Sequence, residues 1–130
     1  MTDLAKLADM SSARRFPKNK PIINEGESSP YSMYIILQGK VRVVKNYGEL
    51  DQMVVATIGA GEYFGEMSLF LKQPRNATIV TLDETVVLEI TEDNVFEVIE
   101  SHPTLLYGMI KGLCKRIDYL NEKVLPRHRA

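Results

Sequence analysis

The chain has one cysteine, Cys114, and two histidines, His102 and His128. A single thiol allows no internal disulfide and no thiolate zinc site. The histidines stand far apart and lack carboxylates at ligand spacing, which argues against a metal centre. No apolar run approaches the roughly 18 residues of a membrane span, and Met1-Thr2-Asp3 does not open a signal peptide. The net charge of −1 provides no global basic field for nucleic acid. No nucleophile–base pair stands out, so an enzyme active site is not expected. The histidine-free stretch from Arg14 to Ile90 also lacks the metal ligands that a cupin-like enzyme needs on its strands. A reducing cytoplasm is the simplest compartment.

What remains is ordinary globular material. The 130 residues fit one domain with one modest core, and 45% hydrophobic with 25% charged residues is typical of such a domain. Residues 1–12 suit a short N-terminal helix, with Thr2 or Asp3 as cap and Leu4, Leu7 and Ala8 on one side. From Arg14 to Ile90 the text reads as short strands broken by turns. "RRFPKNKPIINEGE" holds two brief strands. "YSMYIILQGKVRVVK" reads as a hairpin, Met33–Leu37 and Val41–Lys45 around Gln38-Gly39. In it Val41, Val43 and Lys45 should face one way, Arg42 and Val44 the other. "QMVVATI", "ATIVTL" and "TVVLEI" are further strands. This spacing predicts an antiparallel sandwich, roll or barrel.

The period then changes. Thr91 is an N-cap candidate ahead of Val95, Phe96, Val98 and Ile99. His102-Pro103 divides this helix from a second, predicted over Pro103–Val124. Leu106, Ile110, Leu113, Ile117, Leu120 and Val124 step by four and three, a heptad seam. It suits packing on the chain's own strands or on a second copy. Gly108 and Gly112 each cost about 1 kcal/mol there against alanine. Cys114 reads as a buried or half-buried thiol.

One stretch follows neither strand nor helix period: "GEYFGEMSLFLKQPRNATI", Gly61 to Ile79. Gly65 lets the backbone approach a ligand closely. Glu66 to Phe70 can form a short helix whose first amides converge on an anion. Arg75 can grip two phosphate oxygens with its planar guanidinium. Glu66 repels a phosphate but accepts from a sugar hydroxyl. An acid and a base around a glycine corner therefore suit a ligand with both phosphate and ribose. Phe64, Val54 and Ile79 read as core, Tyr63 as core or ligand contact, and Gly39 and Gly61 as turn glycines.

"FGEMSLF" followed by "PRNAT" resembles the phosphate-binding cassette of cyclic nucleotide-binding domains. "YIILQGKVRVVK" resembles their hairpin, and "IINEGE" the strand and turn before it. The resemblance spans about Arg14 to Val124 and extends to bacterial cAMP-receptor-like members. It implies a mainly β fold: an antiparallel β-roll (jelly-roll-like, a double-stranded β-helix) over residues 14–90, with the cassette at 64–78 and two C-terminal helices over 91–125. It implies that Glu66 binds the ribose 2′-hydroxyl and Arg75 the cyclic phosphate, with Gly65, Met67 and Ser68 turning their amides to the ligand and Asn76 and Ala77 following. Asn76 departs from the family's alanine or hydroxyl residue, which leaves cAMP and cGMP open at that position. cAMP is the expected ligand, and no cofactor is implied.

"RIDYLNEKV" resembles the stretch beside adenine in the bacterial activators. Arg116, Leu120 and Asn121 are thereby candidate base-lid residues, though Leu120 replaces a hydroxyl residue. The same helix forms the dimer interface in those activators, so the resemblance implies a homodimer. The chain ends at Ala130 without their helix-turn-helix. A stand-alone domain or a fragment is thus expected, acting on an unidentified downstream protein, with no membrane or nucleic acid contact of its own. The alternative is a degenerate roll that binds protein and no nucleotide.

Overall fold

Short strands bounded by turns cannot bury an apolar face singly, so they pair into sheets whose inner faces meet. In the computed structural model, which describes residues 13–124, eight strands do so. They are β1 (Ala13–Phe16), β2 (Pro21–Ile23), β3 (Met33–Gln38), β4 (Lys40–Lys45), β5 (Met53–Gly59), β6 (Tyr63–Phe64), β7 (Thr78–Thr81) and β8 (Thr85–Ile90). Three helices accompany them: α1 (Glu66–Leu71), α2 (Val95–Ser101) and α3 (Pro103–Val124). The expected helix over residues 1–12 lies outside the described residues.

The strands form two antiparallel four-stranded sheets, ordered β1-β8-β3-β6 and β2-β7-β4-β5. Both supply the core. Tyr34, Ile36, Phe64 and Val87 come from the first sheet, and Ile23, Val41 and Ile79 from the second. Full burial of one such side chain contributes roughly 1.5–3 kcal/mol. Phe64 and Ile79 are thus core residues, as their setting in the sequence predicts. Val54 is not: it is 46% exposed on β5, an edge strand with no second neighbour to cover it. The β4–β5 register shifts between Val43 and Val44, so strict alternation along β4 fails. Val44 is buried although Arg42, two residues before it, is exposed.

The chain divides into two compact units after Val95. The strands and α1 belong to the first. The helix expected to start at a Thr91 cap starts four residues later. Residues 91–94 form a turn in which the Asn94 side chain accepts from the Thr91 amide at 2.8 Å, and the Val95 amide donates to Thr91 O at 3.0 Å. The second unit is helical. Its α3 has the predicted bounds, and no described helix is long and apolar enough to cross a membrane.

Gly39 closes the β3–β4 turn with φ of 99°. A Cβ there would lie 2.6 Å from Glu84 O and from Thr85 Oγ1. Gly48 also has positive φ but stands in open space. Gly39→Ala should therefore lose more stability than Gly48→Ala, whose cost is confined to the about 1–2 kcal/mol of a left-handed alanine. Urea denaturation of both variants measures the difference, and equal midpoints would refute the clash.

Candidate functional site

Gly65 has φ of 84°, a conformation that favours glycine, and stands as N-cap of α1. Sterics add a second demand, since a Cβ there would meet Arg75 Nη1 and Ser32 O, each at 2.9 Å. The corner is therefore shaped around the arginine. Glu66, Ser68 and Ala77 are buried, Met67 is 39% exposed, and Asn76 is exposed. The first amides of α1 have no acceptor within the helix, as at any helix start.

Arg75 is held at both ends. Its amide donates to Glu27 O and its carbonyl accepts from the Gly26 amide, each at 2.8 Å. The residue as a whole is 5% exposed. Nη1 donates to Ser32 O at 2.7 Å and more weakly to Gly65 O at 3.4 Å, and Nη2 donates to Pro30 O at 2.9 Å. The Tyr34 ring lies 5.9 Å from Cζ. Among the described residues no carboxylate lies within 4.0 Å of it. Burial lowers its pKa, while Tyr34, Glu27 and Glu89 work the other way. Arginine titrates so high that it stays charged. The outcome is a buried cation whose hydrogen-bond acceptors are neutral carbonyls, a setting that favours an incoming anion.

Two flanking arrangements fix the loops around it. Lys45 Nζ donates to Asn76 O at 2.6 Å and pairs with Glu25 at 2.9 Å. The Asn46 amide, at 2.9 Å, and then Lys45 hold the Glu25 carboxyl below its ordinary pKa. On the other side Ser32 Oγ donates to Glu89 Oε2 at 2.8 Å, and Arg14 pairs with Glu89 Oε1 at 3.0 Å. Tyr34 lies between Phe64 and Glu89 in the register of the first sheet. It stacks on Phe64 at 5.1 Å, and its hydroxyl donates to Glu89 at 3.4 Å.

The structure thus brings Gly65, Glu66 and Arg75 into one corner, with Met67, Ser68, Asn76 and Ala77 on the same segment. Arg116, Leu120 and Asn121 lie on α3, in the second unit. Along the seam Leu106 and Leu113 are half-buried, while Ile110, Ile117 and Leu120 are each at least 51% exposed. Cys114 is exposed rather than buried, one position beyond Leu113 of the seam. The sequence reading missed Pro30, Ser32, Tyr34, Lys45 and Glu89. Glu89 carries a visible signal, a carboxylate inside the apolar run "TVVLEI". The others act through carbonyls or through distant pairing, which no local pattern announces.

Residues 13–102 match the family model described as the cyclic nucleotide-binding domain. The chain is 29% identical over 104 residues to the cyclic AMP receptor protein of Thermus thermophilus, covering 80% of this chain and 48% of that protein. It is 25% identical over 130 residues to the Pycsar effector protein PaPycTIR of Pseudomonas aeruginosa, covering 98% and 40% respectively. The solved structure of Thermus thermophilus catabolite activator protein superposes with a TM-score of 0.74 at 26% identity, over 95% of this chain and 58% of that one. The chain spans about half the length of the curated relatives it matches.

Burial raises the Tyr34 pKa, and the negative charge of Glu89 adds to it against Arg75 and Arg14. A raised acid pKa makes folding favour the protonated phenol. Its stabilising share is complete below the ordinary value of about 10 and is lost as pH rises through the folded value. Thermal melts between about pH 8 and 11 should show this decline in the native chain and a shallower one in Tyr34→Phe. Identical slopes would remove Tyr34 from the account.

Proposed function

The chain belongs to the cyclic nucleotide-binding domain family, and on that premise we propose that it senses cAMP and relays binding through its C-terminal helices. The buried Arg75 guanidinium, carried on neutral carbonyls beside the Gly65-Glu66 corner, is the observation on which the reading rests. The cyclic phosphate is a monoanion. It would pair with Arg75 and accept from the amides of Met67 and Ser68. Glu66 would accept from the ribose 2′-hydroxyl. Arg116, Leu120 and Asn121 would close on the base in the bound state.

The choice of cAMP over cGMP draws support from relatives named for cyclic AMP. Asn76 carries both a donor and an acceptor and leaves the choice open at that position. Output would come from a shift in helix position, since a ligand moves an equilibrium only by its unequal affinity for the two states. The exposed Ile110, Ile117 and Leu120 suit a homodimer through α3. A cytoplasmic downstream protein would read the change.

Titration calorimetry with cAMP and cGMP tests the reading. The native chain should bind cAMP saturably and more tightly than cGMP. Arg75→Ala should weaken binding about tenfold to a hundredfold, the range for losing a hydrogen bond to a charged group. No heat with either nucleotide would favour the protein-interaction module instead. Sedimentation tests the dimer: the native chain should run as a dimer and the double variant Ile110→Asp, Ile117→Asp as a monomer. A monomeric native chain would exclude this assembly.

A further inference from the structure

Arg75 does not aim itself. Its two shortest side-chain hydrogen bonds run to Ser32 O and Pro30 O, on the loop that leads into β3. That loop is anchored in turn to Glu89 on the neighbouring strand β8. Ser32 is almost fully buried, and its hydroxyl donates to Glu89 Oε2 at 2.8 Å. The same residue thus offers its carbonyl to Arg75 and its hydroxyl to Glu89. Tyr34, two residues on, touches both as well, with its ring near the guanidinium and its hydroxyl 3.4 Å from Glu89.

We propose that Glu89 is the positioning residue of the phosphate-binding arginine, acting through Ser32 to hold the carbonyls that orient Arg75. This rests on the nucleotide-sensing reading and names a residue that serves its site. The placement of charge explains why the link is indirect. A carboxylate bound directly to Arg75 would neutralise the cation and compete with a phosphate. Set one residue away, and paired with Arg14, the carboxylate fixes geometry and leaves the guanidinium to neutral acceptors. The relay also reaches the end of the strand layer, because Asn94 Nδ2 donates to Glu89 O at 3.4 Å in the turn before α2.

The test has two arms, and the first needs no nucleotide. Arginine-selective NMR of the ligand-free chain follows the guanidinium nitrogens of Arg75, assigned by their loss in Arg75→Lys. In the native chain they should give separate, slowly exchanging signals. Ser32→Ala and Glu89→Ala should average them, and Glu89→Gln, which keeps an oxygen for the Ser32 hydroxyl, should preserve them. In the second arm, calorimetry with cAMP should show affinity reduced about tenfold in both alanine variants and changed less than about twofold in Glu89→Gln. Ser32→Ala and Glu89→Ala combined should be no worse than either alone, since both cut one link. Melting of each ligand-free variant confirms that it folds, and Ser32→Ala, the smaller change, carries the test if Glu89→Ala does not fold. Native guanidinium signals in the alanine variants overturn the proposal, and so does native affinity. If the native chain binds no nucleotide, the functional reading falls and the guanidinium arm alone decides the relay.

Discussion

A guanidinium withdrawn from water and resting on backbone carbonyls is the constraint around which this molecule is arranged. Removing a charge from water costs several kcal/mol, so a buried cation persists only where its donors are met. Arg75 meets that demand with Ser32 O, Pro30 O and, more distantly, Gly65 O. Two separate stretches of chain must therefore converge on one side chain, while a third, the turn at Gly26-Glu27, holds its backbone. The loop before β3, the corner before α1 and the turn at Gly26-Glu27 are each shaped by that convergence. The missing side chain at residue 65 makes room for it, and the two sheets supply the frame that keeps these stretches in register.

The cation's surroundings divide by chemistry. On the second sheet's side, Lys45 and Glu25 fix the peptide at Asn76 and the turn at Asn46. On the first sheet's side, Ser32, Tyr34, Glu89 and Arg14 form a connected polar group beside an otherwise apolar core. The exposed ion pair of Arg14 with Glu89 adds little stability by itself. Its value lies in neutralising Glu89 without involving the arginine. Lys72 joins the end of α1 to the turn before α2 through Glu92, a further tie between the corner and the end of the strand layer. Arg14, Lys45 and Lys72 thus each pair with a carboxylate, while the hydrogen bonds of the Arg75 guanidinium run to neutral carbonyls.

Much of this was legible in the residues. Short alternating runs separated by Gly and Pro identified the strands, because a half-buried strand has a period of two. Gly65, Glu66 and Arg75 identified the corner because each type has a distinct chemical use there. The extent of α3 followed from Pro103 and an unbroken helical period. Thr91 stands one turn ahead of the regular helix, where its carbonyl accepts from the Val95 amide and the Asn94 side chain reaches back to its own amide, as in a capping box. Val54 misled because an edge strand looks the same as a central one until its neighbours are known. Pro30 and Ser32 act through carbonyls that every residue possesses. Their contacts with Arg75 follow from the fold, and the Ser32 hydroxyl meets Glu89 from 57 residues away along the chain, so no local pattern announces either role.

The lone cysteine has a practical consequence. Cys114 is the only thiol in the chain, and it is exposed on α3, beside the seam rather than within it. A maleimide dye would attach at one defined point per polypeptide, with no background from other sulfhydryls and no engineered substitution. That point lies on the element through which a signal would leave. The native molecule is therefore already suited to become a fluorescent reporter of its own helix.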